Sequence, residues 1–318
     1  MTGLMASARL RREPAVFYVR GGEKALRFMQ WMACRPQWLR SPLVYEIHSI
    51  QYLDLLERHD GRYGEGQALE AYRQARRALE ADVYARLDGV VTISEALKRL
   101  IERDFTLRRA PLVARSGALV PAAPAPPWAE RDVDIAYVGG LYEYNGVELL
   151  VRAMALAPGR RLVVVGGGTG EQTEALRRAA EEAGVSDRVE FRGYVPHPEA
   201  LEWMRRARVL AAPLRLNPAQ DRISWCNPGK LVEYMASGAA IVCSRIESLQ
   251  EMLNDRNSIL VEPNSVEALA AGIHKAFSDP QQAARLGTRA GEDAKEHSYD
   301  ARARKIMRFL EELAGRGL

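Results

Sequence analysis

The sequence predicts an α/β protein with two parallel sheets, one on each side of a proline-rich segment. Short apolar runs of strand type alternate with amphipathic helical patterns along most of the 318 residues, which is typical of parallel sheets covered by helices. A chain of this length holds about two domains. The segment 121–127 contains four prolines, which disfavour both helix and central strand, so we expect the domain boundary there.

The first half of the chain alternates between strand and helix patterns. We predict strands at 15–19, 43–48, 89–94 and 112–114, and helices at 23–31, 67–87 and 95–105, with Ser94 capping the last of these. His48 ends the second strand, where side chains of open α/β sheets tend to meet ligands; the alternative is a purely structural strand-end histidine. Arginines of the long helix form either a solvated face or a surface attracted to anionic lipid: Arg73, Arg76 and Arg77.

The second half shows the same alternation more clearly. We predict strands at 133–139, 161–165, 189–191, 209–212, 240–243 and 259–261, and helices at 147–157, 171–183, 198–207, 230–236 and 265–277. The predicted organisation is a first domain at 1–122, a linker at 123–130, a second domain at 131–297 and a terminal helix at 298–318.

The stretch 222–244 carries the strongest local chemistry. Asn227, Pro228 and Gly229 are turn and helix-start residues, and we expect the asparagine to cap a helix that begins at Lys230. Lys230 and Glu233 then lie one turn apart on one face. A helix start with a lysine suits a phosphate group, and a carboxylate suits sugar hydroxyls. The alternative is an ordinary loop–helix–strand unit with a surface Lys–Glu pair.

Composition and motifs exclude several classes of protein. Apolar content of 47% and charged content of 27% are ordinary for a globular chain, no apolar run reaches the roughly 20 residues of a membrane span, and the first twelve residues lack the apolar core of a signal peptide. Three scattered cysteines are too few for a disulfide framework or a zinc site, so we expect a reducing cytoplasm. The net charge of +4 permits peripheral contact with anionic lipid but falls short of a nucleic-acid signature.

The glycines at 166–170 are not a dinucleotide-binding fingerprint. The Gly-x-Gly-x-x-Gly pattern requires glycine at 171 or 173, where Glu171 and Thr173 stand. We expect this loop to allow close backbone approach to a ligand or to a neighbouring loop.

Five segments of the second half occur together and in order: 137–141, 162–168, 188–195, 211–214 and 227–238. Together they resemble the donor domain of the retaining glycosyltransferases of family 4. The first half matches less specifically at 44–48 and 88–94, and residues 298–299 with the helix after them resemble the terminal helix that crosses back to the first domain. The resemblance implies the GT-B fold, in which two Rossmann-like domains face a cleft, here with an abbreviated first domain.

The resemblance also implies roles for individual residues. Glu233 would bind the ribose hydroxyls of a UDP- or GDP-sugar, Tyr194 and Val195 would border the base, and His48 would lie over the donor sugar. Catalysis is expected from His48, Lys230 and Glu233 without a metal or other cofactor, because cations and helix dipoles stabilise the leaving diphosphate. The implied donor-binding set is Gly139, Gly140, Gly166, Tyr194, Val195, Arg222, Asn227, Pro228, Gly229, Lys230, Leu231 and Glu233.

Three positions depart from the family pattern. Gly140 and Asn145 stand where the family has cations that face the diphosphate, and Trp225 stands where it has a glutamate. Lys230, with Arg222, would have to supply the missing charge.

The main hypothesis is a retaining hexosyltransferase that acts on a glycan, a lipid-linked acceptor or a small molecule in the cytoplasm or at the inner face of the membrane. The second hypothesis is a non-catalytic protein that binds a nucleotide sugar or a protein partner. A nucleotide-sugar epimerase would need carboxylate and histidine groups for which the sequence shows no clear set.

Overall fold

The computed structural model describes residues 15–35, 41–53, 66–121, 124–216 and 222–315. The chain divides into two compact units, one formed by residues 1–115 and 302–318 and the other by residues 116–301. Residues 122 and 123, at the predicted start of the linker, lie outside the described residues, as do residues 1–12. We describe each unit by itself.

The first unit contains a parallel sheet with the strand order β1-β2-β3-β4. Its second strand is buried at every position, including Glu46, as expected of a strand inside a parallel sheet that is covered on both faces. Ser94 caps the helix that follows the third strand, because its side chain accepts a hydrogen bond from the Leu97 amide at 2.9 Å, as predicted. The elements are β1 (Phe17–Arg20), α1 (Glu23–Ala33), β2 (Leu43–Ile47), α2 (Gln67–Tyr84), β3 (Gly89–Thr92), α3 (Glu95–Asp104) and β4 (Leu112–Val113).

The last helix of the chain, α12 (Tyr299–Gly315), packs on the sheet of the first unit. Its Ile306 and Leu313 lie in one cluster with Val44 of β2 and Val91 of β3. Burial of such side chains stabilises by roughly 1.5–3 kcal/mol each, which holds the C-terminal segment on this sheet.

The second unit contains a parallel sheet with the strand order β10-β9-β8-β5-β6-β7. The elements that carry the site are β5 (Val133–Val138), β6 (Leu162–Val165), β7 (Val189–Gly193), α6 (His197–Arg206) and α8 (Gly229–Ala236). The others are α4 (Val147–Ala153), α5 (Gly170–Glu182), β8 (Ala207–Ala212), α7 (Arg222–Trp225), β9 (Ala240–Ser244), α9 (Glu247–Gln250), β10 (Ile259–Val261), α10 (Val266–Ser278) and α11 (Pro280–Ala294).

Helices cover both faces of this sheet. Successive residues of β5 enter opposite cores, Ile135 and Tyr137 on one side and Ala136 and Val138 on the other, because side chains alternate along a strand. The strand order reverses between β5 and β8, and ligands of such sheets bind at the carboxyl ends of the strands near that point.

The second unit differs from the predictions in several details, among them the short helices α7 and α9, which were not predicted. Helix α11 was not predicted, although Asp279 caps it by accepting from the Gln282 amide at 2.9 Å. Its buried face consists largely of small residues, so its apolar pattern is weak. The predicted asparagine cap of α8 is wrong: Pro228 holds the cap position without a side-chain bond, because the Asn227 side chain accepts from the Ser116 amide at 2.9 Å instead.

No disulfide bond joins Cys34, Cys226 and Cys243, all of which lie within the described residues. Within the described ranges, no helix combines the length and the apolar character needed to cross a bilayer.

Candidate functional site

A cavity of about 340 Å³ lies at the carboxyl ends of β5, β6 and β7, against α6 and α8. Seven residues predicted from sequence to bind the donor line this cavity: Gly139, Gly140, Gly166, Tyr194, Val195, Lys230 and Glu233. The other lining residues are Val138, Val165, Gly167, His197, Ala200 and Met204.

Two glycine loops form the floor of the cavity by lying against each other. The Gly139 amide donates to the Val165 carbonyl at 2.9 Å, and a Cβ on Gly166 would stand 1.7 Å from the carbonyl oxygen of Gly139. No side chain fits at Gly166. The sequence left open whether this loop approaches a ligand or a neighbouring loop, and the structure shows the neighbouring loop.

Lys230 extends from the first turn of α8 to the end of β5. Its amino group donates to Asn145 Oδ1 at 2.6 Å and to the Tyr137 hydroxyl at 3.1 Å, and it lies 4.7 Å from the centroid of the Tyr137 ring. Both partners also donate hydrogen bonds to the carbonyl of Gly140. The donor atoms are Asn145 Nδ2, at 2.8 Å, and the Tyr137 hydroxyl, at 2.6 Å. The ammonium group is therefore tied to the glycine loop after β5.

The partners of Lys230 are neutral. Among the described residues, no carboxylate lies within ion-pair distance of it, and the nearby thiol of Cys243 has a pKa that burial raises to about 12. Burial lowers the pKa of Lys230 to about 7, since desolvation disfavours the charged form. An anion bound in the cavity would therefore stabilise the ammonium form.

Glu233 lies one turn further along α8, with its side chain 17% exposed. Its Oε1 is 2.7 Å from Nε2 of His197 at the start of α6. Sequence reasoning missed His197, although its position, shortly after the end of β7 and three residues after Tyr194, was an available signal. Tyr194 is 82% exposed, so one face of an aromatic ring is open at the rim.

Several predicted residues are not among those that line the cavity. Leu231 is fully buried in the core, and Asn227 is buried with its side chain bound to Ser116. Pro228 and Gly229 form the start of α8. The Arg222 side chain lies outside the described part of the structure. His48 belongs to the first unit.

The described residues contain no cluster of three or more histidine, cysteine, aspartate or glutamate side chains that would hold a metal ion. Lys230 is the only lysine or arginine among the described residues that line the cavity. The chemistry of the cavity is thus that of a lysine, a carboxylate, a histidine and glycine backbone.

All residues that line this cavity lie within a segment of the chain that matches a known family model. Residues 132–279 match the family model described as glycosyl transferases group 1. The chain is also 25% identical over 302 residues to a D-inositol 3-phosphate glycosyltransferase of Corynebacterium glutamicum, covering 87% of this chain and 69% of that protein.

Two solved structures are similar to nearly the whole chain. One is sucrose-phosphate synthase from Thermosynechococcus elongatus, with a TM-score of 0.73, 20% identity and coverage of 98% of this chain and 76% of that chain. The other is Anabaena HepE in complex with UDP, with a TM-score of 0.72, 18% identity and coverage of 98% and 81%. The chain therefore has the GT-B fold, and its residues 132–279 are similar to group 1 glycosyl transferases.

Proposed function

We propose that the protein is a retaining glycosyltransferase that transfers a hexose from a UDP- or GDP-sugar to a hydroxyl group of a glycan, a lipid-linked acceptor or a small molecule. The observation that carries this proposal is that Lys230 and Glu233 project one turn apart into one cavity beside the glycine loops. A cation and a carboxylate at that spacing match the diphosphate and the ribose of a nucleotide sugar.

Each contact follows from the chemistry of its group. An ionised Glu233 accepts hydrogen bonds from both hydroxyls of a ribose cis-diol, and the exposed ring of Tyr194 offers a face for the base. Lys230 donates to the diphosphate, where a cation stabilises the charge that develops as the sugar leaves. The start of α8 adds the positive end of a helix dipole.

Retention follows when the acceptor attacks from the face that the diphosphate leaves. The bond from C1 of the sugar to the β-phosphate oxygen breaks as the bond from C1 to the acceptor oxygen forms. The acceptor proton passes to the departing phosphate, so no side chain of the second unit is needed as a base. We propose that Lys230 and the helix dipole take the place of a metal ion in this step, and that His48 contributes to catalysis.

The test is transfer or hydrolysis by the purified protein with a panel of UDP- and GDP-hexoses, in EDTA and again with Mg²⁺ or Mn²⁺. The expected result is turnover that EDTA does not abolish, with a product of the same anomeric configuration as the donor, read from NMR coupling constants. An inverted product contradicts retention, and a strict metal requirement contradicts the role of Lys230.

A second candidate function is a non-catalytic protein that binds a nucleotide sugar. The observation in its favour is that Gly140 and Asn145 are uncharged and both belong to the polar cluster around Lys230. Tight UDP binding without turnover on any donor would support this function and refute the first.

A further inference from the structure

Glu46, in β2 of the first unit, is a buried carboxylate that binds three side chains. It is 4% exposed. Its Oε1 contacts Nε2 of His48 and accepts from Arg302 at 2.6 Å, and its Oε2 accepts from the Tyr18 hydroxyl. These partners come from the end of β2, the terminal helix α12 and β1.

The charge of Glu46 decides which atom of His48 carries a proton. Burial alone would raise the pKa of Glu46, but hydrogen bonds from His48 and Tyr18 and the charge of Arg302 lower it to about 2. Burial, together with the hydrogen bond to Glu46, raises the pKa of Tyr18, which therefore stays a donor. An ionised carboxylate can only accept hydrogen bonds, so Nε2 of His48 has to donate to it.

Arg302 is held in place from a second side. Its Nε donates to the carbonyl of Arg115 at 3.1 Å, where the chain leaves the first unit. The Arg302 guanidinium thus links the backbone at Arg115 to the carboxylate that contacts His48. A charge fixed in this way is expected to hold Glu46 in one orientation, because the planar guanidinium fork has little freedom once both contacts form.

We propose that Glu46 is a positioning residue for His48, which fixes the proton on Nε2 and leaves Nδ1 as the ring atom that accepts a hydrogen bond from a ligand hydroxyl. Arg302 and Tyr18 support this role by holding the carboxylate. The part that concerns the reaction rests on the proposed function, whereas the placement of the proton does not.

The first test is the tautomer of His48 in the full chain. Long-range ¹H–¹⁵N correlation spectra of protein labelled with ¹⁵N-histidine distinguish the two neutral forms, and a His48→Asn variant identifies the signals. The expected result at pH 8 is the Nε2–H form, with conversion to a mixture of forms in Glu46→Gln. An Nδ1–H form in the unaltered protein, or unchanged spectra in Glu46→Gln, would overturn the proposal.

The second test is kinetic. Glu46→Gln is expected to lower kcat about 10- to 100-fold, which is the loss typical when the hydrogen-bond partner of a metal-ligating histidine is removed. The donor KM should change less than about two-fold. Arg302→Met should lower kcat in the same direction. Arg304→Met, an exposed arginine of the same helix, should match the unaltered protein. An unchanged kcat in Glu46→Gln contradicts the positioning role.

The same set of variants distinguishes a folding defect from a loss of function. If Glu46→Gln fails to fold, Tyr18→Phe removes a single donor from the carboxylate with little change of shape and is expected to shift the tautomer populations partially; no shift overturns the proposal. Absence of turnover in the unaltered protein refutes the proposed function, while the His48 spectra still decide the position of the proton.

Discussion

The amino group of Lys230 lies 2.6 Å from Oδ1 of Asn145, which itself holds the carbonyl of Gly140 through Nδ2 at 2.8 Å. The resemblance to family 4 marked Asn145 as the site of a missing cation. In the structure this asparagine instead directs the lysine of α8 towards the glycine loop. A lysine at 145 would place a second ammonium group beside Lys230, so the two positions depend on each other.

Removal of the lysine charge should weaken binding of the diphosphate selectively. In Lys230→Met we expect the Kd for UDP to rise about 10- to 100-fold, the equivalent of one hydrogen bond to a charged group. Binding of uridine, which lacks phosphates, should change less than about two-fold. Isothermal calorimetry with both ligands checks this, and Lys275→Met, which alters an exposed lysine, is the control. Equal losses for UDP and uridine would contradict the assigned contact.

UDP binding should depend on pH through Lys230. Because burial lowers the pKa of this lysine to about 7, the empty site is increasingly neutral above that pH and must take up a proton when the diphosphate binds. UDP affinity should therefore fall between pH 7 and pH 9. Calorimetry at pH 8 in two buffers of different ionisation enthalpy should show proton uptake in the unaltered protein and none in Lys230→Met. Absence of uptake in both would show that the lysine is charged before the ligand arrives.

Lys230 should also make the stability of the protein depend on pH over a defined pH range. Its pKa in the folded protein lies below the ordinary value of 10.5, so the unfolded chain binds more protons between about pH 7 and 10.5. Stability of the unaltered protein should then rise with pH across that window, and Lys230→Met should remove this contribution. Urea unfolding at pH 7.5 and 9.5 measures how the unfolding free energy of each protein changes with pH. The same change in the unaltered protein and in Lys230→Met would contradict the prediction.

Glu233 should distinguish ligands by their ribose hydroxyls. We expect Glu233→Gln to weaken UDP binding about ten-fold or more, because an amide is a poorer acceptor than a carboxylate for a cis-diol. Binding of 2′,3′-dideoxy-UDP should be weak already and should change little. His197→Ala, which removes the partner of Glu233, should produce a smaller loss with the same ligand preference. A Glu233→Gln loss of the same size for both nucleotides would place the carboxylate elsewhere.

Arg131 should be important for stability rather than for ligand chemistry. It is 2% exposed and donates to the carbonyls of Pro126, Arg205, Ala207 and Ser237 at 2.8–3.1 Å. Arg131→Met leaves these acceptors without their donor in the interior, so we expect a loss of roughly 3–5 kcal/mol in unfolding free energy. Arg161→Met, at an exposed position, should have the same unfolding free energy as the unaltered protein. A small loss in Arg131→Met would show that water or neighbouring amides replace the guanidinium.

The predictions from sequence succeeded where the signal is local. Apolar runs and glycine turns fixed the strands and the loops of the cavity, and the spacing of Lys230 and Glu233 placed both on one face of α8. Contacts between distant segments were beyond reach: Glu46 and Arg302 are 256 residues apart. Asn227 shows the same limit, because a partner 111 residues away replaced the local cap that its residue type predicted.

The neutral surroundings of Lys230 have a consequence for turnover. UDP carries one more ionised phosphate oxygen than a UDP-sugar, so a lysine that acts as counter-charge to the diphosphate holds the product more firmly than the substrate. Under the proposed function, UDP should therefore be a strong product inhibitor, and departure of the nucleotide would limit the rate whenever it accumulates. The charge that helps the sugar to leave also slows the emptying of the site.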